Sequence, residues 1–260
     1  MTDAPPPASP LPESAFLRPD WPAPAGVRAA FTTRLGGYSA GPWGTLNLGT
    51  RVGDDPQAVA ANHAAVARAL ALPAPPQWLH QLHGTELVAA AADGIERSGD
   101  AAWTRRRGVV CAVQSADCLP ILLCDRAGSL VAAVHGGWRG LAGGIVQRVL
   151  IGLGVAPDGL LAWLGPAICG RCYEVGAEVR AAFCAADERL AGQFRPSDRS
   201  GHWLADLPGI ARAQLEASGV PADAIHGGDL CTREDGRRFY SHRRDGVTGR
   251  MAALIWLAPS

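Results

Sequence analysis

Two strand-length apolar runs lie almost back to back, LPILLCD (119–125) and SLVAAVH (129–135). The residues joining them, Asp125-Arg126-Ala127-Gly128, are turn formers, so the pair reads as an antiparallel hairpin. A turn centred between Arg126 and Ala127 sets Cys118 directly opposite His135 at the open end, on one face of the sheet. Directly opposed Cβ atoms lie roughly 4.5–5.5 Å apart, a separation that suits two ligands of one metal ion. A slip of one residue would carry one of the two to the other face.

A zinc or copper ion needs at least a third ligand. His83 in HQLHG is the first candidate, with His80 beside it as the alternative. One thiolate, two imidazoles and an open position describe a catalytic zinc site rather than a closed structural one. Thiolate ligation also suits copper. The plainer reading keeps Cys118 as a core thiol and His135 as an internally satisfied hydrogen bonder. After His135 come Gly136-Gly137-Trp138-Arg139-Gly140, and a helix is expected over Trp138 to Leu150. Free N–H groups at a helix start, with glycines allowing close approach and Arg139 offering a forked contact, attract phosphate or carboxylate. A glycine turn needed only for packing explains the same residues. Asp117, next to Cys118, either accepts a proton, orients a ligand or caps a turn.

The chain has 260 residues, 48% of them apolar, which is enough for a sizeable core. Its 24 basic and 24 acidic groups cancel, so a basic surface for nucleic acid or anionic membrane is not indicated. Every basic residue is arginine, which excludes Schiff-base, pyridoxal-phosphate and P-loop lysine chemistry. No apolar run reaches membrane-spanning length, and the N-terminus lacks the layout of a signal peptide. The seven cysteines are an odd number in a long chain, so the expected location is the reducing cytoplasm. Most of these cysteines sit in apolar stretches and read as small buried hydrophobes. Residues 1–20, with APPPASPLP at 4–12, are expected to be a flexible proline-rich segment, and 21–260 a single domain.

Strands are expected at 27–34, 108–113, 119–125, 129–135, 159–168 and 251–257, with extended chain at 77–90 and 224–232. Helices are expected at 55–70, 138–150, 174–186 and 207–218. Strands and helices mix without strict alternation, so the fold class is α+β with mixed sheets.

FTTRLGGYSAGPWGTLNLG, QLHG, SADCLPILL, AAVHGGWRG, GPAI–CYEVG and FYSHRRDGVTGRM, in that order, resemble the laccase-domain family. Its members are described as purine nucleoside phosphorylases, earlier as multicopper polyphenol oxidases, and a peptidoglycan-editing role has been proposed for relatives. The resemblance runs from about Phe31 to Leu257. It implies a single αβ-sandwich domain and a metal, usually zinc, on His83, Cys118 and His135. It further implies phosphorolysis of adenosine, inosine and S-methyl-5′-thioadenosine, plus adenosine deamination. The partners implied are a purine nucleoside and phosphate. Two departures stand out. Cys169-Gly170-Arg171-Cys172 replaces a common Gly-Pro, and Ala211 replaces an Asn. The CxxC is read as structural, because no second CxxC completes a four-thiolate site.

On this reading phosphate lies near Gly136, Gly137 and Arg139, with Arg34 and Arg243 adding positive charge unless their roles are structural. Asn47 contacts substrate or closes its own loop, and Tyr240 and His242 line the pocket or a strand edge. The rivals are a thiol hydrolase or amidase with Cys118 as nucleophile and His135 as base, a copper oxidase of phenols, and a binding module with structural zinc. Nothing demands an assembly beyond a monomer or weak dimer.

Overall fold

The computed structural model describes residues 10–259. Along the chain run β1 (Phe16–Leu17), β2 (Val27–Thr32), α1 (Pro56–Ala69), β3 (Leu79–His80), β4 (Leu87–Ala89), β5 (Arg97–Ser98), β6 (Ala101–Thr104), β7 (Val110–Ser115), β8 (Leu119–Asp125) and β9 (Val131–Gly136). There follow α2 (Trp138–Ala142), α3 (Ile145–Leu153), β10 (Leu160–Leu164), β11 (Glu174–Gly176), α4 (Ala177–Ala186), β12 (Phe194–Pro196) and β13 (His202–Ala205). The chain closes with α5 (Leu207–Ala217), β14 (Ile225–Gly227), α6 (His242–Asp245) and β15 (Met251–Leu257).

Two sheets form the centre, one ordered β1-β2-β15-β7 and the other β14-β10-β8-β9-β6-β4. They pack face to face. The closing strand shows why: Met251, Ala253, Ile255 and Leu257 join the inter-sheet core, while Ala252, Leu254 and Trp256 pack on the opposite side with Val66 of α1 and Leu70 at its C-terminal end. Ile145, Val146 and Val149 of α3 and Ile210 and Leu215 of α5 cover the larger sheet. The fold is therefore an α+β sandwich in one domain, as expected. No helix among the described residues is long and apolar enough to cross a membrane.

The hairpin forms, in a different register. Pro120 lies opposite His135 and Leu119 opposite Gly136, so Cys118 sits beyond the last pair rather than facing His135. Asp125 decides this. Its carboxylate accepts N–H bonds from Ser129 (2.7 Å) and Leu130 (2.9 Å), and Gly128 takes a φ of +67°. These contacts widen the turn to residues 126–129 and displace the pairing by two residues. An even displacement preserves the face, so Cys118 still turns toward His135.

Three other expectations need correction. The single helix over 138–150 is split at Gly143-Gly144, where Gly144 adopts a left-handed φ of +85° and starts α3. Residues 174–176 are a strand rather than helix, because they pair with residues 202–204 of β13. Within the span 1–20 expected to be flexible, residues 16–17 are built into the sheet: Phe16 pairs with Thr32 and Leu17 with Phe31. Residues 1–9 of that span lie outside the described residues.

Candidate metal centre

Three chain segments bring one ligand each to the open end of the hairpin. His135 is the penultimate residue of β9. Its backbone N–H donates to the Asp100 carbonyl (2.7 Å), and its Nδ1 bonds the Asp100 carboxylate at 2.9 Å. Nε2 is therefore the nitrogen left for the site. His83 lies in the loop between β3 and β4 with a φ of +59°. The same Asp100 carboxylate holds that loop, accepting N–H bonds from Leu82 (3.1 Å), His83 (2.9 Å) and Gly84 (2.7 Å). Asp100 is buried, with 1% of its side chain exposed, and it organises both histidines at once. Sequence reasoning missed it; the signal was that a ligating imidazole needs an acceptor for its second nitrogen.

Cys118 follows a bend at Asp117, whose φ is +88°. The Asp117 carboxylate is fully engaged, accepting from the Thr232 hydroxyl (2.6 Å) and the Arg243 N–H (2.6 Å). It positions Cys118 by tying the bend to two distant loops. The Cys118 Sγ lies 3.8 Å from His83 Nε2, and the two imidazole rings are 4.8 Å apart at 79°. One ligand atom from each of His83, Cys118 and His135 lies within 4.8 Å of the others, so the three form a metal-binding group. His80, the alternative ligand, lines the adjoining cleft and is not part of this group.

Gly137 forms the floor. A Cβ there would meet His83 Cδ2 at 2.8 Å, Cys118 Sγ at 3.3 Å and His135 Cε1 at 3.5 Å. The space a side chain would occupy is the space between the ligands, and the donor set of one thiolate and two imidazoles suits a borderline-soft cation. Gly137→Ala should push the His83 ring aside and lower metal content measured by elemental analysis, while circular dichroism stays unchanged.

The electrostatics favour a charged pair in the metal-free protein. Burial pushes the Cys118 thiol up, but His135 and His83 together outweigh it and bring it down to about 6. Burial pushes His135 down, and the Cys118 sulfur and Asp100 outweigh it, raising the imidazole to about 9. Asp100, despite burial, is held below its ordinary value by His135 and the Gly84 and Leu82 amides. The thiolate is thus populated above about pH 6 and lost as pH falls through that value. In metal-free protein, iodoacetamide should modify Cys118 with a half-maximal rate near pH 6. A profile rising only above pH 8 would contradict the ion pair.

The ligands open into a cleft of about 370 Å³ whose walls include Gln81, Gln114, His242 and Arg250. Arg250 makes no ion pair among the described residues, and only its Nη1 is engaged, by the Thr248 and Gly249 carbonyls (3.1 and 3.0 Å). Burial lowers its pKa, against the opposing pull of Cys118 and Asp117. Sequence reasoning missed this arginine too, although it stands in the GVTGRM segment. A larger hollow bounded by Arg18, Trp21, Leu70 and Trp256 carries no His, Cys or carboxylate and offers no chemistry.

The other sequence candidates lie off the cleft walls. Arg139 is exposed and stacks on its neighbour Trp138 at 4.5 Å, and α2 is only five residues long. Arg34 donates to the Gly44 and Gly236 carbonyls (both 3.1 Å) and lies over the Tyr240 ring. Asn47 is fully buried, and its side chain bonds Asp54, Gly49 and the Arg250 N–H. Arg243 donates to the Glu174 carbonyl and stands 5.0 Å from the Tyr173 ring centre. Gly136 ends β9, where a Cβ would meet the Leu119 carbonyl at 2.7 Å.

Residues 28–258 match the family described as multi-copper polyphenol oxidoreductase laccase. A Pseudomonas aeruginosa protein named purine nucleoside phosphorylase PA4543 is 50% identical over 94% of this chain and 99% of its own length. Purine nucleoside phosphorylase YfiH of Escherichia coli is 44% identical, covering 94% of this chain and 99% of its own. Among solved structures, Neisseria meningitidis NMB0706 superposes with a TM-score of 0.90 at 48% identity, over 94% of this chain and all of that one. YlmD from Geobacillus stearothermophilus gives 0.86 at 33% identity, over 94% and 97%. With the family pattern spanning nearly the whole fold and the ligand group in place, the chain belongs to the multi-copper polyphenol oxidoreductase laccase family.

Proposed function

We propose that the protein is a zinc-dependent purine nucleoside phosphorylase acting on adenosine, inosine and S-methyl-5′-thioadenosine with phosphate in the cytoplasm, with adenosine deamination as a side activity. The observation that carries this reading is the three-ligand group opening into a cleft whose wall holds an unpaired arginine. The relatives' names point the same way.

His83, Cys118 and His135 would hold the metal. When bound, it would supply Lewis acidity beside the two substrates. Asp100 orients the His135 ring through Nδ1 and holds the His83 backbone, and Asp117 ties down the bend that carries Cys118. Arg250 offers its free Nε and Nη2 to the phosphate, whose oxygen attacks C1′ of the ribose as the C1′–N9 bond breaks, and the proton that N9 takes up comes from the monoprotonated phosphate or solvent. This reading prefers Arg250 to the helix start at Gly136–Arg139 as the anion site, because a helix of five residues carries little dipole and Arg139, stacked on Trp138, does not line the cleft. Arg250→Gln should raise the KM for phosphate about 10–100-fold while nucleoside binding is kept, the order of a charge-assisted hydrogen-bond pair.

The test is product analysis with the metal-loaded protein. Adenine and ribose 1-phosphate should appear from adenosine only when phosphate is present. Phosphate-independent release of adenine would end the phosphorylase reading.

A second reading is supported by one specific feature: Cys118, His135 and Asp100 also have the order of a nucleophile, its base and the carboxylate that orients the base. Such a thiol hydrolase or amidase, with cell-wall precursors as substrates, needs the sulfur free. Elemental analysis separates the readings: stoichiometric zinc retained through Cys118 rules out a free thiolate, and copper at the same ligands with phenol oxidation would favour the oxidase.

A further inference from the structure

A second cluster of metal-ligating side chains lies outside the cleft. Cys169, Cys172, Cys231 and Glu234 each direct one ligand atom to a common point, all four within 4.8 Å of one another. We infer that these four side chains form a separate, closed site for a thiophilic divalent cation of the zinc class.

Cys169-Gly170-Arg171-Cys172 is a CxxC, and the structure supplies the partner that the sequence lacks: Cys231-Thr232-Arg233-Glu234, a CxxE. The two segments fold alike. In the first, the N–H of Tyr173 bonds the Cys169 carbonyl at 3.1 Å; in the second, the N–H of Asp235 bonds the Cys231 carbonyl at 3.1 Å. Each turn therefore presents its first and fourth side chains on one side. A parallel bridge between Ala167 and Cys231 sets the turns side by side, fixed by N–H bonds from Ala167 to Leu230 and from Thr232 to Ala167 (3.1 and 2.9 Å).

Hydrogen-bond contacts tie the cluster together. The Cys169 N–H points at the Cys231 Sγ (3.4 Å), and the Cys172 Sγ lies 3.5 Å from Glu234 Oε1. Arg171 holds the Glu234 carboxylate at 3.1 and 2.7 Å, which fixes its orientation and offsets part of the charge. Arg195 donates to the Gly170 carbonyl (3.1 Å) and adds a second positive group at the rim. Four ligands about 2.3 Å from a zinc ion stand about 3.8 Å from one another. The cluster needs an inward adjustment of at most about 1 Å along its longest edge, which rotamer shifts can supply. Three sulfurs and one oxygen select zinc or a similarly soft cation over calcium or magnesium. With four protein ligands no position is left for substrate, so the role is structural.

Its position explains what it would hold together. Ile168, next to Cys169, donates its N–H to the Asp117 carbonyl (3.0 Å), and Thr232, next to Cys231, donates its hydroxyl to the Asp117 carboxylate. A cation clamping these two turns fixes both sides of Asp117, and hence the bend that presents Cys118.

The experiment counts metal in the full chain, purified under reducing conditions, stripped and reloaded with zinc alone. Wild type should bind two zinc ions per chain, and Cys118→Ala one. Cobalt in the Cys118→Ala variant should give the intense near-ultraviolet charge-transfer bands of several thiolates. Adding Cys172→Ser, at the more exposed thiol, should remove the remaining ion and the bands, while Cys184→Ser in their place should not. The inference is overturned if wild type binds one ion that Cys118→Ala abolishes. It is equally overturned if the cobalt bands survive Cys172→Ser, or if protein prepared with reductant carries a Cys169–Cys231 disulfide and no second ion.

Discussion

Cys118→Ala should lower phosphorolysis of adenosine by about 10²–10⁴-fold, the range expected when a group central to the chemistry is removed. The thiolate is the one anionic ligand of the His83–Cys118–His135 group, so its loss also removes the negative charge that would attract a cation there. Metal bound at this group should fall with activity, measured on the same samples by elemental analysis. Stability should change little, because Cys118 lies on a bend at the cleft and its removal opens no core cavity. An Ala variant that kept both activity and metal would remove the basis of the proposed function.

Asp100→Ala should be the most damaging single change outside the ligands. The carboxylate serves four donors: His135 Nδ1 and the N–H groups of Leu82, His83 and Gly84. Removing it strands these groups, and His135 Nδ1 is almost fully buried. A loss of about 3–5 kcal/mol follows by analogy with breaking a buried charged pair. That corresponds to a fall of about 10 °C in Tm for a domain of this size. Metal affinity should fall about 10–100-fold as the imidazoles lose their orientation. The pH dependence has a definite sign. Asp100 is held below its ordinary value in the fold, so its stabilising contribution is present above the unfolded carboxylate value and is lost as pH falls through the folded one. Wild type should therefore lose more stability on acidification than Asp100→Ala does. Thermal melts of both proteins in metal-free buffer across the acid range check this, and parallel curves would contradict it.

The hairpin was legible because two apolar runs and a turn are local features, and so was its approximate position. Its register was not. The sequence placed the turn centre by counting, whereas Asp125 widens the turn through hydrogen bonds that depend on Ser129, Leu130 and Gly128 together. The pairing of Cys118 with His135 on one face survived because the displacement was even. His83 was a candidate from the HQLHG segment, with His80 beside it, and the family resemblance pointed to His83; no local pattern ties it to a strand about 50 residues away. Asp117 and Asn47 look like catalytic or binding groups in sequence because they are polar in motif-rich stretches. In the fold their side chains are consumed by Thr232, Arg243, Asp54 and Arg250.

Legible without coordinates were the α+β class, the absence of lysine chemistry, the family, and the residue types able to hold a soft cation. These follow from composition, short-range patterning and motifs, which need no knowledge of distant contacts. The tertiary structure alone decided that Asp100 binds both histidine segments, that Arg250 rather than Arg139 faces the cleft, and that Cys231 and Glu234 complete the set begun by Cys169 and Cys172. Hydrogen bonds and metal ligation act over about 3 Å in space, and the sandwich brings together groups separated by 16 (Gly84 and Asp100) to 167 (His83 and Arg250) positions in the chain.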